Sequence, residues 1–281
     1  MLRIVALCLL LAGCASVGVE RWSAAPFSSS QYESHPAFDP RTRDLYFVRS
    51  APDFSGWRIF VSTCERRGYA EPRPPSFAGA DGLEADPFFT ADGQTLYFIS
   101  SRSEHGRPQR DLDIWRVTRG EDNVWGEPER LPEPVNSEGQ EWFPRLTRDG
   151  WLYFGSDRPG GHGRTDIYRA QADGVGGWRV QNLGPTINTA GDEYEAEFNG
   201  RGDRMVLMAD GDLYESRLRD DAWTPRERLG DGVNTSAMEV GPLLSPSGDS
   251  LIFARDSGDP DLSGEIYRLA RESTFPRRCG R

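Results

Sequence analysis

The sequence contains no lysine. All 33 of its basic residues are arginine, against 44 aspartates and glutamates, for a formal charge of −11. An acidic excess of this kind repels phosphate backbones and offers no basic patch for counterion release, which excludes nucleic acid as the default partner. Histidine is nearly as scarce: only His35, His105 and His162 occur, and no two have zinc-ligand spacing. No Gly-x-Ser-x-Gly nucleophile elbow is present. The Gly-rich stretch Gly160-Gly161-His162-Gly163 has no helix after it to receive a phosphate. What the chain does have is 31 glycines, 20 prolines and a large aromatic set of 8 Trp, 9 Tyr and 14 Phe. Such a chain can bury a core but turns often, so an all-β sandwich, barrel or propeller is expected and long helices are not.

One long apolar run exists, Ile4 to Ala12, preceded by Arg3. It is too short to span a bilayer as a helix and has the form of a signal-peptide core. The run ends in Leu11-Ala12-Gly13-Cys14, which resembles the bacterial lipobox. That resemblance implies lipidation at Cys14, a signal peptide over residues 1–13, a short lipid-anchored tether over 14–21 and a folded domain over 22–281. Each acyl chain would contribute about 0.8 kcal/mol per buried methylene, enough in combination to hold the protein on a membrane. Ala15 in place of Asp implies the outer membrane, with the protein facing the periplasm. Cys8 would leave with the signal, so Cys64 and Cys279 remain, either as two thiols or as a disulfide permitted by an oxidising compartment. By the chain-entropy model such a long-range disulfide could add on the order of 4 to 5 kcal/mol.

Internal repetition decides the fold. The apolar pairs Tyr46-Phe47, Tyr97-Phe98, Tyr153-Phe154, Val206-Leu207 and Ile252-Phe253 recur at separations of 51, 56, 53 and 46 residues. A second marker, Trp22, Tyr69, Trp125, Trp178 and Trp223, keeps the same rhythm at 47, 56, 53 and 45. Within each period, short β-branched and aromatic runs are separated by turns such as Asp92-Gly93 and Asp149-Gly150, the signature of antiparallel hairpins. Four strands every 50 residues or so describe a propeller blade. The expected fold is therefore all-β, a single five-bladed β-propeller of four-stranded antiparallel blades. The fifth period lacks its last strand, so Trp22 to Phe27 is expected to complete it by pairing with Glu265 to Leu269.

These residues resemble the TolB-type WD-like β-propeller repeat of bacterial envelope proteins. The third period carries the pattern most fully, in Pro144, Asp149-Gly150, Leu152-Tyr153-Phe154 and Pro159 through Tyr168. Blade four departs, with Ala196 in place of the Pro and a tight Asp210-Gly211 turn. TolB itself has six blades and an extra N-terminal domain, for which this chain has no room; the resemblance speaks for the fold more than for the Tol role.

A glutamate occupies the same register in every period: Glu33, Glu84, Glu141, Glu193 and Glu239 stand 12 or 13 residues before the apolar pair, and all but Glu193 precede a Pro by three residues. Three follow an Asn-Ser or Asn-Thr pair, Asn136-Ser137, Asn188-Thr189 and Asn234-Thr235, which can form Asx or ST turns. Placed at the innermost strands, the five would gather at one channel mouth as a binding ring. Two readings compete. Each Glu can pin the ring through backbone hydrogen bonds, or the converging carboxylates can hold a Ca²⁺-like hard cation or an Arg-rich partner. A second acidic set, Asp113, Asp166, Asp212 and Glu265, opens the third strands and reads as structural.

Composition, lipobox and repeat together predict an outer-membrane lipoprotein whose propeller binds or scaffolds an envelope protein or peptide. No catalytic residue is assigned. The alternative is a propeller that binds or cleaves cell-wall glycan with channel-mouth carboxylates as acid and base, although catalysis needs two carboxylates of differing acidity rather than five alike.

Overall fold

The computed structural model describes residues 18–22, 29–104, 106–107, 111–258, 265–270, 275–276 and 279. The lipobox residue Cys14, the apolar run before it and Ser23 to Phe27 of the expected closing strand lie outside these residues. The described residues contain strands and turns and no α-helix. Five antiparallel sheets follow one another along the chain as the blades of a propeller.

The innermost strands are Tyr32–Phe38, Glu84–Phe89, Glu141–Leu146, Glu193–Phe198 and Met238–Leu244. Each pairs with a middle strand carrying the repeated apolar pair, and that strand with a third. In blade two the order ends with Glu129–Arg130, and in blade three with Trp178–Asn182. Blade four adds two short segments, Ala222–Trp223 and Glu227–Arg228, to its third strand. Blade one stops at three strands plus a single bridge between Val61 and Arg73. Pro72, Pro74 and Pro75 surround that bridge and remove the N–H donors a full strand would need. The marker Tyr69 sits instead in a small hairpin, Cys64–Glu65 with Gly68–Tyr69.

The ring closes as the missing strand requires, but slightly earlier in the chain. Val19, Glu20 and Arg21 pair with Leu269, Arg268 and Tyr267, and the Trp22 amide donates to the Ile266 carbonyl at 2.8 Å. The strand therefore starts inside the stretch read as tether. The second acidic set explains the register. Asp113 accepts a fork from Arg130 at 2.6 and 2.8 Å, Asp212 pairs with Arg228 at 2.7 Å, and Asp166 accepts from Asn182 at 2.6 Å, each tie running from third strand to fourth. Glu265 takes Arg21 in the same way, at 2.7 Å to Nε.

The core lies between blades. Tyr46, Phe77, Phe89 and Phe98 fill the space between blades one and two, while Leu45 and Phe47 pack with Phe253 and Val240 where blade five meets blade one. Cys64 and Cys279 form a disulfide, with Cα atoms 5.4 Å apart, joining the end of the chain to blade one.

Candidate binding site at the centre of the ring

The repeated prolines build the centre. A proline in an inner strand cannot donate to the ladder, and the register slips at that point between Ser34 and Ala37, Ala85 and Phe88, Trp142 and Arg145, and Val240 and Leu243. The residue before each proline takes a left-handed backbone: His35 (φ 50°), Asp86 (φ 56°), Phe143 (φ 52°) and Gly241 (φ 62°). Three of the four carry side chains in a conformation that costs energy, a feature that concentrates at functional positions. The inner strand of blade four has no proline, its register slips instead between Glu193 and Glu195, and Glu195 takes the equivalent position.

Three of these five side chains meet. His35 Nε2 lies 3.0 Å from Glu195 Oε1 and 3.4 Å from Asp86 Oδ1, bringing together blades one, two and four. The other carboxylate oxygens are held by backbone N–H groups: Gly241 donates to Glu195 Oε2 at 2.7 Å and Phe143 to Asp86 Oδ2 at 2.9 Å. His35 Nδ1 contacts Ser34 Oγ at 2.8 Å. Gly241 must be glycine, because a Cβ there would stand 2.9 Å from the His35 nitrogen. Burial alone would lower the His35 pKa, but Asp86 and Glu195 outweigh it and the net shift is upward. Burial raises Asp86 as well, with the His35 charge opposing and Glu195 reinforcing.

This cluster floors a cavity of about 300 Å³ walled by Phe54, Trp57, Trp142 and Tyr194. Asp192, Tyr194 and Met238 also line a more open groove of about 590 Å³, continuing past Arg164, Asp210 and Thr235. The groove lies along blade four, where Asp210-Gly211 turns the chain directly from the second strand into the third. Longer connections occupy the same place in blades one to three.

None of the five repeated glutamates lines this cavity. All are buried, 4% exposed at Glu33 and 0% at the other four. Each is neutralised by its own arginine: Arg49 on Glu33 at 2.9 Å, Arg102 on Glu84 at 2.5 Å, Arg158 on Glu141 at 2.9 Å, Arg226 on Glu193 at 2.5 Å and Arg255 on Glu239 at 3.0 Å. The Ser29, Ser137, Thr189 and Thr235 hydroxyls and amides also donate to their glutamates, and in blade two the Gly79 amide donates to Glu84 Oε1. The backbone donors stand four or five residues before each glutamate in the same segment rather than in a neighbouring blade. Among the described residues no three His, Cys, Asp or Glu side chains are placed to hold a metal ion. Ser137, Thr189 and Thr235 do make ST turns, whereas Asn136, Asn188 and Asn234 brace the third strand of the preceding blade, bonding Ile114, Ile167 and Leu213.

The residue that repeats does not mark this centre. Its signal is the position just before the repeated proline, which reads His, Asp, Phe and Gly in an otherwise constant frame.

No family model matches the chain, and no curated protein matches it. Solved structures share the fold. A putative TolB from Agrobacterium tumefaciens superposes with a TM-score of 0.54 at 16% identity, over 82% of this chain and 72% of that one. A glucose dehydrogenase gives 0.51 at 12%, covering 90% and 99%. A protein of unknown function from Dyadobacter fermentans gives 0.51 at 14%, covering 90% and 87%. The chain is thus a β-propeller similar to TolB-like and other propeller proteins.

Proposed function

We propose that this protein is an outer-membrane lipoprotein, anchored through Cys14 and facing the periplasm, whose propeller docks a segment of another envelope protein. The observation that carries the reading is the central cavity and its continuation along blade four. A closed pocket would suit a small metabolite, whereas one with an open side channel accepts a side chain while the chain bearing it leaves over the groove. The likeness to a putative TolB is consistent with an envelope setting.

Cross-linking in intact envelopes, read by mass spectrometry, tests this. A defined partner should be recovered, and its recovery should fall when Asp210 and Thr235 in the groove are replaced by bulky residues. Recovery of the same background as an unrelated lipoprotein would sink the idea. Cys14→Ser should move the protein from the membrane to the soluble fraction; persistence in the membrane would remove the anchor.

A second reading, glycan binding or cleavage, draws on the paired carboxylates beside aromatic walls. Cleavage needs an acid and a base free to face the scissile bond. Here all four oxygens of Asp86 and Glu195 already face His35 or a backbone N–H, which favours holding over cutting. Turnover of any member of a broad polysaccharide panel would reverse that judgement.

A further inference from the structure

The chain solves one packing problem six times. A buried or partly buried arginine is laid against an aromatic face while a buried glutamate takes its charge: Arg158 lies over Phe154 and Tyr168 with Glu141, and Arg255 over Phe253 and Tyr267 with Glu239. Arg49, Arg102 and Arg226 repeat it in the other blades, the guanidinium carbon 4.8 to 5.4 Å from a ring centre. Arg145 makes a sixth, 3.5 Å above Phe143 and paired with Glu197. The central cavity presents the same two partners, the faces of Trp57, Trp142 and Tyr194 and the buried carboxylates of Asp86 and Glu195, and its lining contains no arginine.

We propose that this cavity is a socket for an arginine side chain of the docked partner. The inference rests on the docking reading above and names what is docked. Charge supports it. His35 and Arg145 face Asp86, Glu195 and Glu197, two basic groups against three acidic ones, so a guanidinium entering the cavity meets an excess of acidic groups. Each carboxylate oxygen that already accepts one bond can accept another, so the occupied oxygens remain available to a guanidinium. A planar guanidinium can stack on indole and donate to a carboxylate at once, which an ammonium does less well. Size agrees, since about 300 Å³ is at the small end for ligand pockets and suits one side chain.

The test uses the full chain in detergent and follows tryptophan fluorescence and calorimetry. The probes are N-acetyl-arginine methylamide, its citrulline counterpart of the same shape without charge, and free arginine. The arginine amide should bind about tenfold or more tighter than the citrulline amide. Glu195→Gln should erase that preference, and Trp142→Leu should weaken arginine binding if the first variant does not fold. Equal binding of the two amides, or no binding of either, overturns the proposal. Free arginine binding more tightly than its amide overturns the peptide source. A partner recovered by cross-linking while the amides bind alike would leave docking standing and remove the arginine. Arginine preference with no partner recovered would do the reverse.

Discussion

Arg21, on the first described strand, donates to Glu265, on the last, at 2.7 Å, across nearly the whole length of the chain. The same third-to-fourth-strand tie joins Asp113 to Arg130 and Asp212 to Arg228 within single blades, so the N-terminal strand takes the position that the fifth period leaves vacant. Arg21 is half exposed, and an exposed pair of this kind contributes about 0.5 kcal/mol or less. Trp22 packs edge-on to Phe38 at 5.9 Å and against the cluster between blades five and one. Trp22→Ala should therefore cost about 2 kcal/mol, well beyond Arg21→Ala, in denaturant titrations. Equal losses would mean that the ion pair, not the apolar seam, closes the ring.

The glutamates of the inner strands brace each blade from within. Glu141 is fully buried and faces Arg158, itself mostly buried. Removing one member leaves a buried charge alone, so Glu141→Ala should destabilise by about 3 to 5 kcal/mol. Replacing both partners with methionine should recover much of that loss, because the aromatic pair beside Arg158 can pack a thioether. Urea unfolding of the two variants checks this. A Glu141→Ala protein as stable as wild type would return the residue to the list of binding candidates.

How much could be read from the sequence divides along that line. Two markers with one rhythm sufficed for blade number, strand order and the need for a closing strand, because each is imposed by burial and turn chemistry that local residues record. The closing strand begins at Val19, ahead of the Trp22 marker, because the ladder pairs Val19, Glu20 and Arg21 with Leu269, Arg268 and Tyr267. The central cluster is not written in the repeat. Repetition of a glutamate in five blades reflects a shared packing problem. A site shared among blades needs different groups from each, and His35, Asp86 and Glu195 repeat nothing. That these three touch depends on bulges whose direction no periodicity records.

Gly241 offers a local test of the centre. Its φ is 62°, and a methyl group would meet both the nitrogen and the Cα of His35, at 2.9 and 3.0 Å. Gly241→Ala should cost about 2 kcal/mol and displace the imidazole. Gly174 also has a positive φ, 79°, but has open space where a Cβ would go, so Gly174→Ala carries only the backbone cost, about 1 kcal/mol. Thermal unfolding should rank the two in that order; the reverse would show that the backbone around His35 yields easily.

His35 makes stability depend on pH. Its pKa in the folded protein lies above the ordinary 6.5, because Asp86 and Glu195 outweigh burial, and Asp86 is raised above the ordinary 3.8. Both groups hold protons more tightly folded than unfolded, so each contributes stability at low pH that is lost as pH rises through its folded value. For His35 that loss begins near 6.5 and continues as pH rises toward its folded value. His35→Gln keeps a polar side chain but removes the cation between the two carboxylates. At pH 6 the variant should melt well below wild type, and the gap should narrow steadily as pH climbs past 6.5, since wild type loses what the variant never had. Calorimetry of both proteins from pH 5.5 to about 9 supplies the comparison, with the difference between them cancelling what the two proteins share. A gap that stays constant across that range would mean that the folded protein holds the His35 proton no more tightly than the unfolded chain does.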